Sequence, residues 1–289
     1  MRTQAPPGTG IRQTTAGMRT VFVVGSILVT AAGFQLFVLT DRTDRIFAWT
    51  IDNQVTAAFL GAFYFVALVL AGLSARELVW VRARVGVLGV FVFITLTFVL
   101  TLLHLGLFHF DASGTVAKGA AYLWFSVYML APVGVAVAWA YQLRTPGQDP
   151  PREHLLPSWY RVSLGLHAVV TLLVGIWLFV AAPAGKTAVW PWTLTPLTAR
   201  AIAAWLIGLG LVLADAVYEN AWERIRGALA AYVALGVLEF VALARYPHAP
   251  GLDWGAPKAW VYMAFLATVV LIGAYGWMAA QRAVRPGRA

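Results

Sequence analysis

Apolar runs of about 20 residues recur along the whole chain and are separated by short polar segments. A helical run of this length matches the hydrocarbon thickness of a bilayer. A buried helix of a soluble domain would explain one such run but not the whole series. The approximate bounds of the eight runs are 18–40, 53–74, 85–109, 118–142, 160–182, 197–216, 227–245 and 258–280. The pattern predicts an all-α membrane protein with eight transmembrane helices.

The polar segments carry a repeated motif, E-x-x-W-x-R-x-R, at residues 77–84 and again 142 positions later at residues 219–226. Its members are Glu77, Trp80, Arg82 and Arg84 in the first segment and Glu219, Trp222, Arg224 and Arg226 in the second. The same offset relates Arg19 to Arg161, Gly33 to Gly175, Phe37 to Phe179 and Asp111 to Asp253. We therefore expect two tandem repeats of four helices each.

The repeat sets the expected domain organisation. Residues 1–17 are rich in Thr, Gly, Pro and Gln and predict a disordered tail. The first repeat then covers 18–142, a Pro-rich linker 143–158, the second repeat 159–282, and a basic tail 283–289. The first apolar run has a counterpart in the second repeat, which indicates a retained helix and not a cleaved signal peptide.

Basic residues predict the orientation. One side of the membrane would hold Arg2, Arg12, Arg19, Arg76, Arg82, Arg84, Arg144, Arg152, Arg161, Arg224, Arg226, Arg282, Arg285 and Arg288. The other would hold Arg42, Arg45, Lys118, Lys186, Arg200, Arg245 and Lys258. By the positive-inside rule, the side richer in basic residues, and with it both termini, lies in the cytoplasm. The expected location of the protein is the plasma (inner) membrane. An even number of helices per copy makes the repeat parallel.

Tryptophans are expected to form belts at the two membrane boundaries, because indole rings favour the headgroup level. Those predicted at the outer boundary are Trp49, Trp190, Trp192, Trp254 and Trp260, and those at the inner boundary are Trp80, Trp139, Trp159, Trp222 and Trp277.

Composition narrows the chemistry. The chain is 61% hydrophobic and only 11% charged, and it has no cysteine, which excludes disulfides, thiolate metal sites and cysteine nucleophiles. The net charge of +9 is explained by the orientation signal, so we expect no nucleic-acid partner. The expected partners are the lipid bilayer and either other membrane subunits or further copies of the chain.

The repeated motif has two interpretations. Its arginines can anchor the topology while its tryptophan lies at the interface and Glu77 pairs locally with Arg82. Alternatively, the two copies form an anion or lipid-headgroup site near the axis that relates the repeats.

Glu239 is the most unusual residue of the apolar runs, because an ionisable group in hydrocarbon is costly and usually faces the bundle interior with a partner. We expect a basic or histidine partner among Arg200, Arg245 and His104. The pair would either lock helices together or bind a proton or cation. Further ligand-binding candidates in the same outer half are Gln35, Asp52 and Asn53. Any pocket is therefore expected to open outward.

A metal site is a further hypothesis for the outer loops. If the copies pack around one axis, zinc or copper could be held by His104, His109, Asp111, His248 and Asp253. Bis-histidine haem is not expected, since His104 and His167 would lie in opposite leaflets. The cofactor therefore stays unknown.

No known enzyme motif is present in the sequence. The pattern favours a non-enzymatic accessory subunit, or a binder of a lipid or small apolar ligand. Two alternatives stay open: a transporter or channel coupled to protonation of Glu239, and a membrane-embedded redox or metal-dependent enzyme.

Overall fold

The computed structural model describes residues 10–284 and the side chains of 10–283, and this part of the chain is helical, with isolated bridges but no strand. The eight long helices are α1 (Ala16–Gly33), α2 (Gln54–Arg76), α3 (Val87–Leu103), α4 (Thr115–Leu143), α5 (Ser158–Ala181), α6 (Pro196–Glu219), α7 (Trp222–Arg245) and α8 (Pro257–Val284). The bundle end that carries both E-x-x-W-x-R-x-R segments is the motif face, and the other end is the opposite face.

Seven of these helices within the described residues are long and apolar enough to cross a membrane. This confirms the prediction of a helical membrane protein. The remaining helix, α3, has 17 residues and so spans about 26 Å at 1.5 Å per residue.

Helix α3 is shorter than its apolar run predicted. It ends at Leu103, and the chain continues in 3₁₀ turns over Leu105–Leu107 and His109–Asp111. The reason lies in the segment that precedes α2: the backbone N–H of His109 donates to the carbonyl of Ala48 at 2.9 Å. A helix continued through His109 would bond that N–H internally, so this tertiary contact is incompatible with a helix that extends through residue 109.

The four central helices are α2, α3, α6 and α7. Helix α2 packs on α7 and α3 packs on α6, while α1, α4, α5 and α8 lie outside them. Small residues permit this packing: a Cβ added to Gly89 on α3 would overlap the carbonyl oxygen of Gly208 on α6. Near the middle of the bundle Phe63 contacts Trp205, 142 positions later, with ring centroids 5.3 Å apart.

The segment ahead of α1 is ordered from Gly10 onward, which corrects the prediction of a disordered tail through residue 17. The N–H of Trp80 donates to the carbonyl of Arg12 at 3.0 Å. The N–H of Trp222 likewise donates to the carbonyl of His154 at 2.9 Å, with both residues shifted by 142. The rest of that tail, residues 1–9, and most of the predicted C-terminal tail, 285–289, lie outside the described residues.

The tryptophans of the predicted belts differ in how far they are buried within the protein. The side chains of Trp49, Trp80, Trp190, Trp192 and Trp222 are buried inside the protein, whereas Trp159, Trp260 and Trp277 are exposed. A tryptophan can be buried where its indole N–H finds a partner within the protein. Trp192 Nε1, for example, donates to Thr56 Oγ1 at 2.8 Å.

Candidate functional site

The motif face carries a buried ion cluster centred on Glu219, the last residue of α6. Its side chain is fully buried, and each carboxylate oxygen receives one arginine. Arg84 Nε donates to Oε1 at 2.6 Å, and Arg224 Nη1 donates to Oε2 at 2.9 Å. Arg84 also donates to Asp149 Oδ2 of the linker at 2.7 Å. We call Arg84, Asp149, Glu219 and Arg224 the central ion cluster.

Local backbone geometry brings these groups together. Asn220 adopts a left-handed conformation with φ of 48° directly after α6, a conformation that asparagine tolerates. The sharp turn places Arg224, in the first turn of α7, back against Glu219. Glu219 and Arg224, five positions apart in the motif, therefore pair locally.

The first copy of the motif pairs differently from the prediction. Glu77 accepts from Arg226 Nη2 at 3.0 Å, and no local pair with Arg82 is found in the described structure. The side chain of Arg82 is exposed, whereas those of Trp80 and Trp222 are buried. The two motif tryptophans therefore pack mainly against protein.

The central ion cluster contains two arginines and two acidic side chains, so their formal charges cancel. Burial disfavours the charge of Arg84, but the neighbouring carboxylates of Glu219 and Asp149 outweigh it, so the pKa of Arg84 is raised. Arg224 Nη2 also donates a hydrogen bond to the carbonyl of Pro150. Carboxylates and a carbonyl thus bind both arginines, which favours a structural role over anion binding, although Arg224 Nε is buried with no partner among residues 10–283.

Glu239 on α7 lies near the opposite face and is 1% exposed, so it does not face lipid. Its Oε2 accepts a long hydrogen bond of 3.4 Å from the hydroxyl of Tyr262 on α8. Its Oε1 is buried and has no partner within the described part of the chain. The predicted basic or histidine partner is not found there.

The three expected partners are engaged elsewhere. Arg200 Nη1 bonds to His104 Nε2 at 2.8 Å. Arg245 donates to the carbonyl of Phe37. Sequence reasoning missed Tyr262 because tyrosine is common in spanning helices and carries no charge to indicate a partner.

Aromatic rings pack around Tyr262, the hydrogen-bond partner of Glu239. The ring of Tyr262 lies 5.7 Å from that of Trp190 and 5.6 Å from that of Trp192, and both tryptophans contact Phe59. Trp190 Nε1 is, like Glu239 Oε1, a buried polar atom with no partner in residues 10–283. The buried carboxyl group is therefore bonded to a tyrosine that lies in an aromatic cluster.

The other polar candidates hold loops in place instead of lining one pocket. Asn53 Nδ2 donates to the carbonyls of Thr193 at 3.3 Å and Pro250 at 3.2 Å. Gln35 Nε2 donates to the carbonyl of Ile46 at 2.9 Å. Asp52 is exposed.

The predicted metal ligands do not converge. Within the described residues, no group of three or more His, Asp or Glu side chains could hold a metal ion. His109 uses Nδ1 for the carbonyl of Phe47 and Nε2 for Thr50, while His104 is bonded to Arg200. The remaining predicted ligands, Asp111, His248 and Asp253, are exposed.

A groove of about 390 Å³ opens on the motif face beside the end of α8. A much smaller gap, of about 10 Å³, lies among aromatic side chains of the bundle interior, including Tyr64, Phe93 and Trp205.

Comparison of the chain with protein-family models, with curated proteins and with solved structures found no match.

Proposed function

We propose that the protein is a non-enzymatic integral membrane protein that acts as an accessory subunit. The observation that carries this proposal is the filled bundle interior. Phe93 stacks on Trp205 with ring centroids 3.6 Å apart, and the gap beside them is about 10 Å³. A water molecule needs at least about that much room, and a ligand pocket needs about 300 Å³ or more. A filled interior suits a scaffold better than a carrier.

We further infer eight spans arranged as two parallel repeats, with the motif face in the cytoplasm of the plasma (inner) membrane. Contacts that recur at an offset of 142 support the repeat. Arg84 pairs with Glu219 while Arg226 pairs with Glu77, and Phe63 contacts its own counterpart, Trp205. Such self-complementary contacts are typical of a twofold relation. The excess of basic residues supports the orientation.

The peripheral helices offer the contact surface of an accessory subunit. Their exposed apolar side chains include Ile27 on α1, Leu130 on α4 and Leu173 on α5, which are 65%, 62% and 63% exposed. In a membrane these faces meet lipid or another spanning protein.

Site-specific photo-crosslinking in native membranes tests the accessory role. A photoreactive residue is placed singly at Ile27, Leu130 or Leu173. We expect one discrete protein adduct, and from one of the three helices in preference to the others, because a specific partner covers a specific face. Lipid adducts alone at all three positions would contradict the accessory role.

A second candidate, a proton-coupled carrier, is favoured by the unpartnered Oε1 of Glu239. A carboxyl group that has a free oxygen and lies within the membrane region can exchange a proton. Purified protein in liposomes with an internal pH dye tests this. Proton flux above that of empty liposomes, lost in Glu239→Gln, would replace the accessory role; flux equal to that of empty liposomes would exclude an uncoupled proton pathway through Glu239.

A further inference from the structure

The groove on the motif face has a mixed lining. Its apolar walls come from Leu155, Trp222, Tyr275 and Met278, and polar groups come from His154 and Arg282. The walls are open: Leu155 is 59%, Tyr275 43% and Met278 50% exposed. The groove lies beside the last turns of α8, a helix long and apolar enough to cross a membrane. Its position is therefore the boundary between hydrocarbon and headgroups.

The corresponding region in the first half of the chain is packed differently. Trp139 on α4 packs there against a buried cluster that includes Met18 and Trp80. At the position 142 residues after Trp139 the chain has Gln281. The fully buried Gln142 also ties α4 to the segment ahead of α1, by accepting from the N–H of Thr15 at 2.7 Å. The surroundings of the groove thus differ between the two halves.

The charges at the groove favour an anionic occupant. Arg282 is exposed and has no carboxylate partner among residues 10–283. Glu223, the acid beside groove residue His154, faces His154 Nδ1 at 3.7 Å and accepts from the N–H of Glu153 at 3.0 Å. Arg282 is therefore the groove's available cation, and a guanidinium group binds phosphate in a bidentate manner.

We propose that this groove binds one anionic phospholipid of the adjoining leaflet. The phosphate contacts Arg282, and the upper part of an acyl chain lies on Tyr275 and Met278. The acyl chain covers the apolar walls, and the phosphate neutralises the charge of the Arg282 guanidinium group at headgroup level. This inference rests on the proposed membrane-spanning arrangement but not on the accessory role.

Native mass spectrometry of the purified full chain tests the proposal. The protein is incubated with equal amounts of phosphatidylglycerol and phosphatidylcholine. We expect one phosphatidylglycerol molecule to be retained in preference to phosphatidylcholine. Arg282→Gln should weaken phosphatidylglycerol binding about fivefold, the effect of one basic residue at a membrane surface. Ala279→Phe, which fills the groove without changing charge, should lower the retention of both lipids.

The matched control is Arg144→Gln, which removes an exposed arginine at the motif-face end of α4. It should leave retention unchanged, and thermal unfolding of each variant checks that it is folded. Equal retention of the two lipids would overturn the proposal, as would a loss in Arg144→Gln as large as in Arg282→Gln. So would a dimer that dissociates in Ala279→Phe while lipid retention is unaltered. None of these outcomes depends on the photo-crosslinking result, so the two proposals can fail separately.

Discussion

Arg226 donates to Glu77 at 3.0 Å across 149 residues of sequence, and the corresponding residues of the other motif, Arg84 and Glu219, pair across 135. The glutamate of each E-x-x-W-x-R-x-R segment thus takes the last arginine of the other segment. Such an exchange joins the two halves of the chain at the motif face. The two pairs differ in burial, since Glu219 is fully buried whereas Glu77 is 22% exposed.

This difference in burial predicts that loss of the charge of Glu219 destabilises the protein more than loss of the charge of Glu77. Glu219→Gln removes the charge that faces both Arg84 and Arg224, and breaking a buried pair in this way costs about 3 kcal/mol or more. Unfolding of the purified protein in an SDS titration should therefore begin at a markedly lower SDS fraction than in the wild type.

Glu77→Gln is the matched control, since it removes the same charge from the more exposed pair with Arg226. It should cost about 1 kcal/mol or less. Equal losses in the two variants would show that burial of Glu219 does not decide the strength of the exchange.

Close helix packing gives a second prediction. Gly89→Ala on α3 places a methyl group against the carbonyl of Gly208 on α6, and overpacking of this kind costs about 1–3 kcal/mol. Gly72→Ala on α2 adds the same methyl group where no atom lies within 4 Å, and should be neutral or stabilising. The SDS titration compares them; a Gly89→Ala variant as stable as the Gly72→Ala variant would contradict the tight α3–α6 contact.

The helical membrane fold could be predicted from the sequence because run length and hydrophobicity depend on the bilayer and not on tertiary contacts. Helix ends could not be predicted as well. Nothing in the local sequence near His109 indicates that its N–H bonds to Ala48, a long-range bond that a helix through residue 109 could not accommodate. The order of residues 10–15 was missed for the same reason, since their polar composition hides backbone bonds such as that between Arg12 and Trp80.

The candidate sites show a similar limit. The motif arginines and Glu239 could be found because their residue types are unusual in their settings. Their partners depend on helix packing, which the spacing within one helix does not determine. Glu77 is five positions from Arg82 yet pairs with Arg226, and Glu239 pairs with an uncharged Tyr262 on the next helix.

Labelling of introduced cysteines tests the proposed topology, and the lack of native cysteine makes the background clean. Ser113 lies between α3 and α4, and Gln148 lies in the linker; both side chains are exposed. A membrane-impermeant maleimide added to intact cells should label Ser113→Cys and spare Gln148→Cys until the cells are lysed. Labelling of both before lysis would refute both the even number of spans per half and the parallel repeat.

The setting of Glu239 predicts which of its properties matters. No arginine, lysine or histidine within the described residues pairs with this buried carboxyl group, which receives only the Tyr262 hydroxyl. Glu239→Gln keeps an oxygen acceptor for that hydroxyl, and should therefore change the free energy of unfolding by about 1 kcal/mol or less. Glu239→Leu leaves the buried hydroxyl without an acceptor and should cost more, about 1–3 kcal/mol. Tyr262→Phe removes the donor, so Glu239→Leu should cost less in the Tyr262→Phe background than in the wild type, because no hydroxyl is then left unsatisfied. The SDS titration measures all five proteins, including the Tyr262→Phe, Glu239→Leu double variant. A loss in Glu239→Gln as large as that in Glu219→Gln would instead indicate that Glu239 is ionised and held by a cation, which is the arrangement at the motif face.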